Sequence, residues 1–510
     1  MIKKHYILYF LLLIAVSHGN AQNANMFLKT YFLLPHNYSE SYGVAETPYG
    51  YMIAGINLET ENNNNYWAYA LIGVNGYGDT MWTKSYRINN GGVGSGMWIY
   101  DFIKKDGDNY YSTANIYYPN SYWTSVLIKV NKFGDTLWTK EYLPDNSFTT
   151  LTTKSVNKTK DNGFILSGSI GNSNYESIIL IKTDSLGNEI WRKIHDINNN
   201  IFQWVYSAIE DSLTSRFIFT GYRYINNKYH SYIFITDSIG NIIIQRNFGG
   251  PHGSALHSIQ ATSDNRFIAS GNEETGNIHG SWPLSKGLLI KFDIQGNLIW
   301  KKVYGEEQML NYFSSMAITQ GDSIVVSGQY DSIYTQGLGL NSMFQLYKMA
   351  PNGDIVWKRY FDITRPDSIG GGYVQDLPQS LIKTSDGGYC ITGYSAYSNQ
   401  NPFLLLKLNE WGCDTLNCQY VGVNELEHKP NIKIYPNPAN SIINIELPLS
   451  MPYKNAYIEI KDLTGKILHT QIITEYKNTL NVSFLKPSLY IVSVISDNKI
   501  ITHQKLIIKK

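Results

Sequence analysis

The sequence predicts an all-β protein, a seven-bladed β-propeller followed by a small immunoglobulin-like β-sandwich. Three observations lead to this fold class. A turn followed by a tryptophan recurs at intervals of roughly 50 residues. The composition favours strands, and the last stretch of the chain changes in character after about Val423.

Each repeat contains Asp or Asn, a glycine three positions later, and usually a tryptophan four residues after the glycine. Asp or Asn and Gly at this spacing favour a tight hairpin turn. A repeat of this length fits one four-stranded blade, so the number of repeats predicts seven blades. The instances are Asn75/Gly78/Trp82, Asn131/Gly134/Trp138, Asp184/Gly187/Trp191, Asp237/Gly240/Ile244, Asp293/Gly296/Trp300, Ala350/Gly353/Trp357 and Asn409/Gly412/Leu416.

A second turn lies upstream in each repeat and leads into a strand that ends in a small residue. Examples are Asp161–Gly168, Asp264–Gly271 and Asp386–Gly393. We expect the small residue where inner strands crowd the ring axis. The tryptophan is expected on the outermost strand, filling the gap between blades, which is a structural role.

The amino-terminal strand is expected to close the ring. The last repeat ends without a Trp-x-Lys-x-Tyr continuation, whereas Met26–Tyr31 matches Met81–Tyr86 position by position. Residues 26–35 are therefore predicted to complete the last blade, which removes two exposed sheet edges.

Composition and charge indicate an exported β protein. Of 510 residues, 14% are aromatic and 16% are charged, and the 40 tyrosines favour strands. A formal net charge of +1 provides no field to attract nucleic acid or an anionic membrane, so no nucleic-acid partner is expected.

Residues 1–21 have the pattern of a signal peptide. Lys3 and Lys4 precede an apolar run over residues 6–16, and Gly19-Asn20-Ala21 forms a small-residue cleavage site before Gln22. The run is too short to span a bilayer, and no transmembrane segment is expected.

The chain contains three cysteines and no recognisable catalytic or cofactor motif. Cys413 and Cys418 flank a short hairpin and form the candidate disulfide, whereas Cys390 is expected to be buried and free. No cofactor, metal site or catalytic residue is predicted. His252, His257 and His279 are expected in loops, and scattered loop histidines are commoner than metal sites.

A polar linker at residues 422–430 separates the repeats from a tail of short alternating strands at residues 431–510. The tail resembles the type A carboxy-terminal sorting domain of the type IX secretion system of Bacteroidetes. The resemblance rests on Ile434–Ala439, Ile460–Lys466, Leu489–Val494 and the basic end Lys505–Lys510. Tyr435, Pro436, Asn437, Pro438, Gly465 and Tyr490 are its motif residues. Ser488 departs from the family pattern, which usually has Gly there.

The resemblance implies export in two steps. The signal peptide carries the chain to the periplasm, and the type IX machinery then moves the folded protein across the outer membrane using the tail as address. The family's tail-cleaving attachment system normally removes the tail, and the product is attached to surface lipopolysaccharide or released. The expected location is the outer cell surface or the medium.

Loops joining the second and third strands of each blade share one face of a propeller, and here they are rich in aromatic residues and asparagine. Such residues stack on sugar rings or anchor a host or matrix protein. The alternative is that the rings pack between blades. The candidate binding residues are Trp67, Tyr118, Trp123, Tyr224, Trp282, Tyr330 and Tyr394.

These observations favour a non-enzymatic binding or adhesion propeller, whose expected ligand is a glycan or a protein. The alternative is a polysaccharide-active hydrolase or lyase. Its catalytic carboxylates are defined by their separation in space, which the sequence does not show.

Overall fold

The computed structural model is built almost entirely of strands. It describes residues 26–33, 38–61, 64–87, 96–98, 103–118, 122–145, 147–172, 176–195, 203–279, 282–305, 309–333, 340–363, 374–397, 401–414, 433–446, 456–462, 465–473, 475–496 and 499–509. Within these ranges there is no α-helix, only a 3₁₀ turn at Gln320–Asp322. The chain divides into two compact units, Met1–Tyr420 and Val421–Lys510.

The first unit consists of antiparallel meanders in which each strand pairs with its neighbour along the chain. The early strands are β1 (Phe27–Tyr31), β2 (Ser39–Thr47), β3 (Gly50–Glu61), β4 (Asn64–Asn75), β5 (Thr80–Tyr86), β6 (Gly96–Trp98), β7 (Lys104–Asp106), β8 (Asn109–Tyr118), β9 (Tyr122–Asn131), β10 (Thr136–Tyr142), β11 (Thr150–Lys158), β12 (Phe164–Gly171), β13 (Glu176–Thr183) and β14 (Glu189–His195). β6 and β7 both pair with β8.

The later strands continue the same order. They are β15 (Gln203–Glu210), β16 (Phe217–Ile225), β17 (Lys228–Thr236), β18 (Ile242–Asn247), β19 (Ser254–Ala261), β20 (Phe267–His279), β21 (Trp282–Phe292), β22 (Leu298–Tyr304), β23 (Leu310–Ile318), β24 (Ile324–Ile333), β25 (Leu340–Met349), β26 (Ile355–Phe361), β27 (Val374–Lys383), β28 (Tyr389–Tyr397) and β29 (Phe403–Leu408). This arrangement of four-stranded antiparallel meanders is propeller-like.

The recurring turn joins the third and fourth strands of a meander. In the first meander, Asn75 Oδ1 accepts hydrogen bonds from the backbone N–H groups of Tyr77 and Asp79, at 2.9 and 2.8 Å. Gly78 has φ +78, a conformation that favours glycine. The Asn side chain and the glycine both favour this turn.

The outermost strand of one meander contacts the recurring turn of the next. Tyr86 Oη donates to the Gly134 carbonyl at 2.6 Å, and Lys84 Nζ contacts Asp135 at 2.5 Å. Trp82 lies against Gly134. This explains why Trp, Lys and Tyr alternate along the strand, because three side chains on one face bind one turn.

Strand β1 makes the same contacts. It pairs antiparallel with β29, with Phe27 opposite Lys407 and Tyr31 opposite Phe403. Tyr31 Oη donates to the Gly78 carbonyl at 2.8 Å, and Lys29 Nζ contacts Asp79 at 2.5 Å. The first and last parts of this unit are thus joined through β1.

The small residue that ends the second strand has a specific cause. A Cβ on Gly168 would overlap the carbonyl oxygen of Thr152 on β11. Gly221, Gly271, Gly328 and Gly393 each face a first-strand carbonyl in the same way. We expected crowding at the axis, but the close approach is to the backbone of the neighbouring first strand, at a register shift in that strand.

The core lies between meanders as well as within them. Val44, Tyr51 and Ile53 from β2 and β3 form one buried cluster with Cys390 and Phe403 from β28 and β29. Cys390 is free and fully buried. Cys413 is disulfide-bonded; Cys418, its predicted partner, lies outside the described residues.

The second unit contains two antiparallel sheets that share one hydrophobic core. One sheet has the order β30-β31-β34 and the other β33-β32-β35-β36. The strands are β30 (Lys433–Tyr435), β31 (Ile442–Glu446), β32 (Ala456–Lys461), β33 (Ile467–Ile472), β34 (Lys477–Asn481), β35 (Ser488–Ser496) and β36 (Lys499–Ile508).

Candidate binding site and sorting domain

A cavity of about 460 Å³ lies where the first strands of the meanders meet. β2, β7, β11, β15, β19, β23 and β27 all contribute to its lining. The lining combines tyrosines, hydroxyls and amides with aliphatic side chains, His257 and the cation Lys104, and none of the described residues in it is Asp or Glu.

His257 on β19 is central to the aromatic part of this cavity. Its ring centroid lies 4.9 Å from that of Tyr206 and 6.0 Å from that of Tyr312. Nε2 lies 3.0 Å from Asn272 Oδ1, an acceptor, so Nε2 carries the proton and Nδ1 is left as an acceptor. Burial lowers the pKa of His257, which keeps the imidazole neutral near pH 7.

Lys154 on β11 packs beside the same aromatic group. Its Nζ lies 3.4 Å from the centroid of the Trp204 ring and 5.2 Å from that of Tyr206. Burial lowers the pKa of Lys154 to about 7, although the charge of Glu176 opposes this shift. Glu176 also accepts a hydrogen bond from the Trp204 indole N–H.

The candidate aromatic residues lie in the strands that flank the hairpins between second and third strands, not in loops. All the described side chains are half-buried. Their positions are Trp67 in β4, Tyr118 in β8, Trp123 in β9, Tyr224 in β16, Trp282 in β21, Tyr330 in β24 and Tyr394 in β28. Of Trp282 only the backbone is described, paired with His279.

Most of these rings contact another aromatic ring of the same chain. Tyr118 stacks on Tyr122 with centroids 4.8 Å apart. The other pairs are Trp67–Tyr38 at 5.5 Å, Trp123–Tyr117 at 5.1 Å, Tyr224–Tyr229 at 4.9 Å, Tyr330–Tyr360 at 4.8 Å and Tyr394–Tyr42 at 6.0 Å. The partner rings Tyr117, Tyr122 and Tyr229 lie in the same hairpin as the candidate residue, whereas Tyr38, Tyr360 and Tyr42 come from other parts of the unit.

In the second unit, Asn437 connects the Tyr-Pro-Asn-Pro segment to the last strand. Its Nδ2 donates to the Lys505 carbonyl at 2.7 Å, and its Oδ1 accepts from Ile507 N–H at 2.9 Å. The Tyr435–Pro436 and Asn437–Pro438 peptide bonds are both cis. Two motifs that lie far apart in the sequence therefore form one structural element.

The other two motifs have local roles. Gly465 has φ +87, and its N–H donates to the Asp462 carbonyl at 3.0 Å, closing the hairpin between β32 and β33. Tyr490 Oη donates to the Lys486 carbonyl at 2.8 Å. Ser488, which departs from the family pattern, begins β35 and pairs with Ile508.

Comparison with known families identifies this unit. Residues 433–509 match the family described as secretion system C-terminal sorting domain. The carboxy-terminal unit belongs to that family, and the resemblance inferred from its motifs is confirmed. A sorting domain of this kind indicates export to the cell surface or the medium by the type IX route.

Several solved structures are similar to the chain. A protein of unknown function from Dyadobacter fermentans has a TM-score of 0.40 at 9% identity, covering 75% of this chain and 99% of its own. The β-propeller domain of the Trilobed protease from Pyrococcus furiosus has 0.38 at 10%, covering 72% and 94%. The α-L-arabinofuranosidase Arb93A from Fusarium graminearum has 0.40 at 12%, covering 61% and 92%.

Comparison with curated proteins gives no match. In the described ranges, no helix is long and apolar enough to cross a membrane. The same ranges contain no group of three or more His, Cys, Asp or Glu side chains arranged to hold a metal ion.

Proposed function

We propose that the chain is a secreted or surface-attached binding protein: a seven-bladed propeller that the type IX machinery exports by means of its immunoglobulin-like tail. The sorting domain at residues 433–509 is the observation that carries this proposal. A tail that functions as an export address implies that the first unit acts outside the cell.

The closed ring is supported by contacts between the two ends of the first unit. β1 completes the meander of β27 to β29, and its Lys29 and Tyr31 bind the turn at Asp79 and Gly78. Ser39 N–H also donates to the Asn401 carbonyl at 3.0 Å. With β1 counted in the last meander, the meanders number seven.

The proposed domains are a signal peptide at residues 1–21, the propeller at 22–421 with 26–35 in its last blade, a linker at 422–430 and the sorting domain at 431–510. The division of the structure after Tyr420 supports the second boundary. The proposed partners are the type IX machinery, its tail-cleaving attachment system and surface lipopolysaccharide.

The aromatic pairs beside the second-to-third-strand hairpins form the proposed contact surface for glycan or a host or matrix protein. Paired rings lose little side-chain entropy on binding because they are already held in place. Two of these pairs are Trp67 with Tyr38 and Tyr118 with Tyr122.

Export is tested by deleting residues 431–510 in a bacterium that has a type IX system. The truncated protein should accumulate in the periplasm with its signal peptide removed, whereas the full chain reaches the surface or the medium. Equal export of both forms would refute the role of the tail.

Binding is tested by screening the purified protein on a glycan array while measuring release of reducing ends. Binding without turnover, weakened in Trp67→Ala, supports the proposal. The control is Trp411→Ala, because Trp411 is exposed in the turn that follows β29. Absence of glycan binding would favour a protein ligand or a structural surface role.

A polysaccharide hydrolase or lyase is the second candidate function. Burial raises the pKa of both Asp331 on β24 and Glu274 on β20. A carboxyl group with a raised pKa is what a general acid requires. Turnover that disappears in Asp331→Asn or Glu274→Gln would establish this alternative.

A further inference from the structure

One register shift recurs along the first strands of the first unit. At each shift, one residue has no partner opposite it on the second strand, as in a β-bulge, which turns a side chain away from the regular alternation. The residues at these positions are Tyr42, Lys154, Tyr206, His257, Ser314 and Gln379.

The positions around the bulge repeat in residue type. A small residue follows each bulged residue, and a glycine lies on the second strand beside the bulge. The small residues are Gly43, Ser155, Ser207, Ser258, Ser315 and Ser380, and the glycines are Gly55, Gly168, Gly221, Gly271, Gly328 and Gly393. These residues let the backbones approach closely, so they form the scaffold of the bulge.

The bulged residue itself varies in type. It is tyrosine, lysine, tyrosine, histidine, serine and glutamine in successive described bulges. A position required only for folding would keep its type from repeat to repeat, as the tryptophans of the outer strands largely do. The variation instead fits side chains that each contact a different part of one asymmetric ligand.

Five of the six bulged residues line the cavity of about 460 Å³ described above; Lys154 packs against Tyr206 beside it. This volume lies within the range of roughly 300–1,000 Å³ typical of small-molecule sites. Tyr206, His257, Ser314 and Gln379 remain partly exposed, whereas Ser258, Ser315 and Ser380 behind them are buried.

The polar groups of the cavity include an unmet hydrogen-bonding group. Ser380 Oγ is buried, lines the cavity and has no hydrogen-bond partner among the described residues. A buried hydroxyl without a partner costs free energy. Lys104, a cation of the lining, donates to the Val156 carbonyl at 2.6 Å and to Asn157 Oδ1 at 3.2 Å.

We infer that the axial cavity binds a small neutral sugar, a mono- or disaccharide, through the bulged side chains. Tyrosine rings supply stacking surfaces, the His257 Nδ1 accepts a hydroxyl hydrogen, and the Gln379 amide both donates and accepts. This site differs from the hairpin surface proposed above, and the two share one residue, Tyr42, whose ring contacts Tyr394.

The test is titration of the purified protein with a panel of neutral mono- and disaccharides, followed by calorimetry and ligand-observed NMR. For the best binder, Gln379→Leu and Tyr206→Ala should each weaken affinity by about tenfold or more. Gln295→Leu, which makes the same chemical change in an exposed turn, should leave affinity unchanged.

Thermal unfolding checks that the variants remain folded. Two results would overturn the inference: no binding of any neutral sugar in the panel, or binding that both cavity variants retain. Binding that survives in the cavity variants but is lost in Trp67→Ala would support the hairpin surface and exclude the axial site. The failure of one proposal is thus distinguishable from the failure of the other.

Discussion

The indole of Trp82 lies against Gly134 in the turn of the following meander, so closely that a Cβ at residue 134 would come within 2.6 Å of Trp82 Cη2. A Cβ at Gly73 would overlap Trp82 Cε2. The tryptophan therefore packs closely against two glycines, and neither position has room for a larger residue.

This confinement predicts that Gly134→Ala is strongly destabilising. Gly134 has φ +77, and the new methyl group would also collide with Trp82. The strain of an alanine in a left-handed backbone conformation and the overpacking against Trp82 should together lower the free energy of unfolding by about 3 kcal/mol. The matched control is Gly107→Ala, because Gly107 has φ +62 and open space around its Cα, so only the strain of about 1 kcal/mol applies. Equal losses in urea unfolding would show that the contact with Trp82 does not matter.

The contact of Tyr31 with Gly78 predicts that β1 protects Cys390. Tyr31 and Cys390 belong to the same buried cluster, and burial raises the pKa of the Cys390 thiol. A buried, protonated thiol reacts slowly with alkylating reagents. In Tyr31→Ala, detachment of β1 should accelerate labelling of Cys390 by at least about tenfold, as measured by peptide mapping under native conditions.

The control for this prediction is Tyr142→Ala. Tyr142 is as buried as Tyr31, and its Oη donates to the Gly187 carbonyl at 2.7 Å, but it belongs to a different cluster. This change should cost comparable stability without selective exposure of Cys390. Equal labelling rates in both variants would mean that Cys390 becomes accessible only by global unfolding.

Much of this architecture can be predicted from the sequence because its contacts repeat. The match of Met26–Tyr31 to Met81–Tyr86 places Tyr31 and Tyr86 in equivalent positions, and both donate to a glycine carbonyl. The residues of the motif around Asn437 likewise identify the sorting-domain family from the sequence. In both cases one local structure requires the same few residues each time.

The bulges are harder to predict, because one extra residue in a strand reverses which side chains face inward without changing the hydrophobic composition. His257 was expected in a loop, yet it lies within β19. The available signal was the small residue after each bulge, such as Ser258. The contact of Trp67 with Tyr38 was also not predicted, because the two residues lie far apart in the sequence.

The ion pair of Lys407 with Asp386 predicts a stability that depends on pH. Lys407 Nζ lies 2.8 Å from Asp386 Oδ2, and its side chain is only 1% exposed. Burial alone would raise the pKa of Asp386. Hydrogen bonds from Lys407, Thr384 and the Gly388 N–H lower this pKa by more than burial raises it, so the net shift is downward. The stabilisation is therefore present above the unfolded-state pKa of about 4 and is lost as the pH falls through the lower folded-state pKa.

Asp386→Asn should leave Lys407 buried without its counter-charge and cost about 2 to 3 kcal/mol near pH 7, less than for a fully buried pair because Asp386 remains partly solvated. The difference from wild type should shrink below about pH 4 in urea unfolding. Asp354→Asn is the matched control, because its pair with Lys302 is exposed on both sides, and we expect little change at any pH. A deficit in Asp386→Asn that is constant down to acid pH would contradict this assignment.

Asn437 joins the beginning of the sorting domain to its end, and this predicts that export depends on it. Besides the two side-chain hydrogen bonds of Asn437, Ala439 N–H donates to the Ile507 carbonyl and Lys509 N–H donates to the Ala439 carbonyl, both at 2.8 Å. Asn437→Ala should lower the free energy of unfolding of this unit by about 1 to 2 kcal/mol and reduce the exported fraction.

Asn444→Ala is the control, because Asn444 accepts a hydrogen bond from Thr479 Oγ1 at 2.9 Å without contacting the last strand. Export is measured as the ratio of periplasmic to surface and released protein. Reduced export in Asn437→Ala alone would mean that the attachment of the last strand is part of what the machinery recognises. An equal reduction in both variants would mean that the motif acts only through stability, and unchanged export in Asn437→Ala would show that this attachment is dispensable.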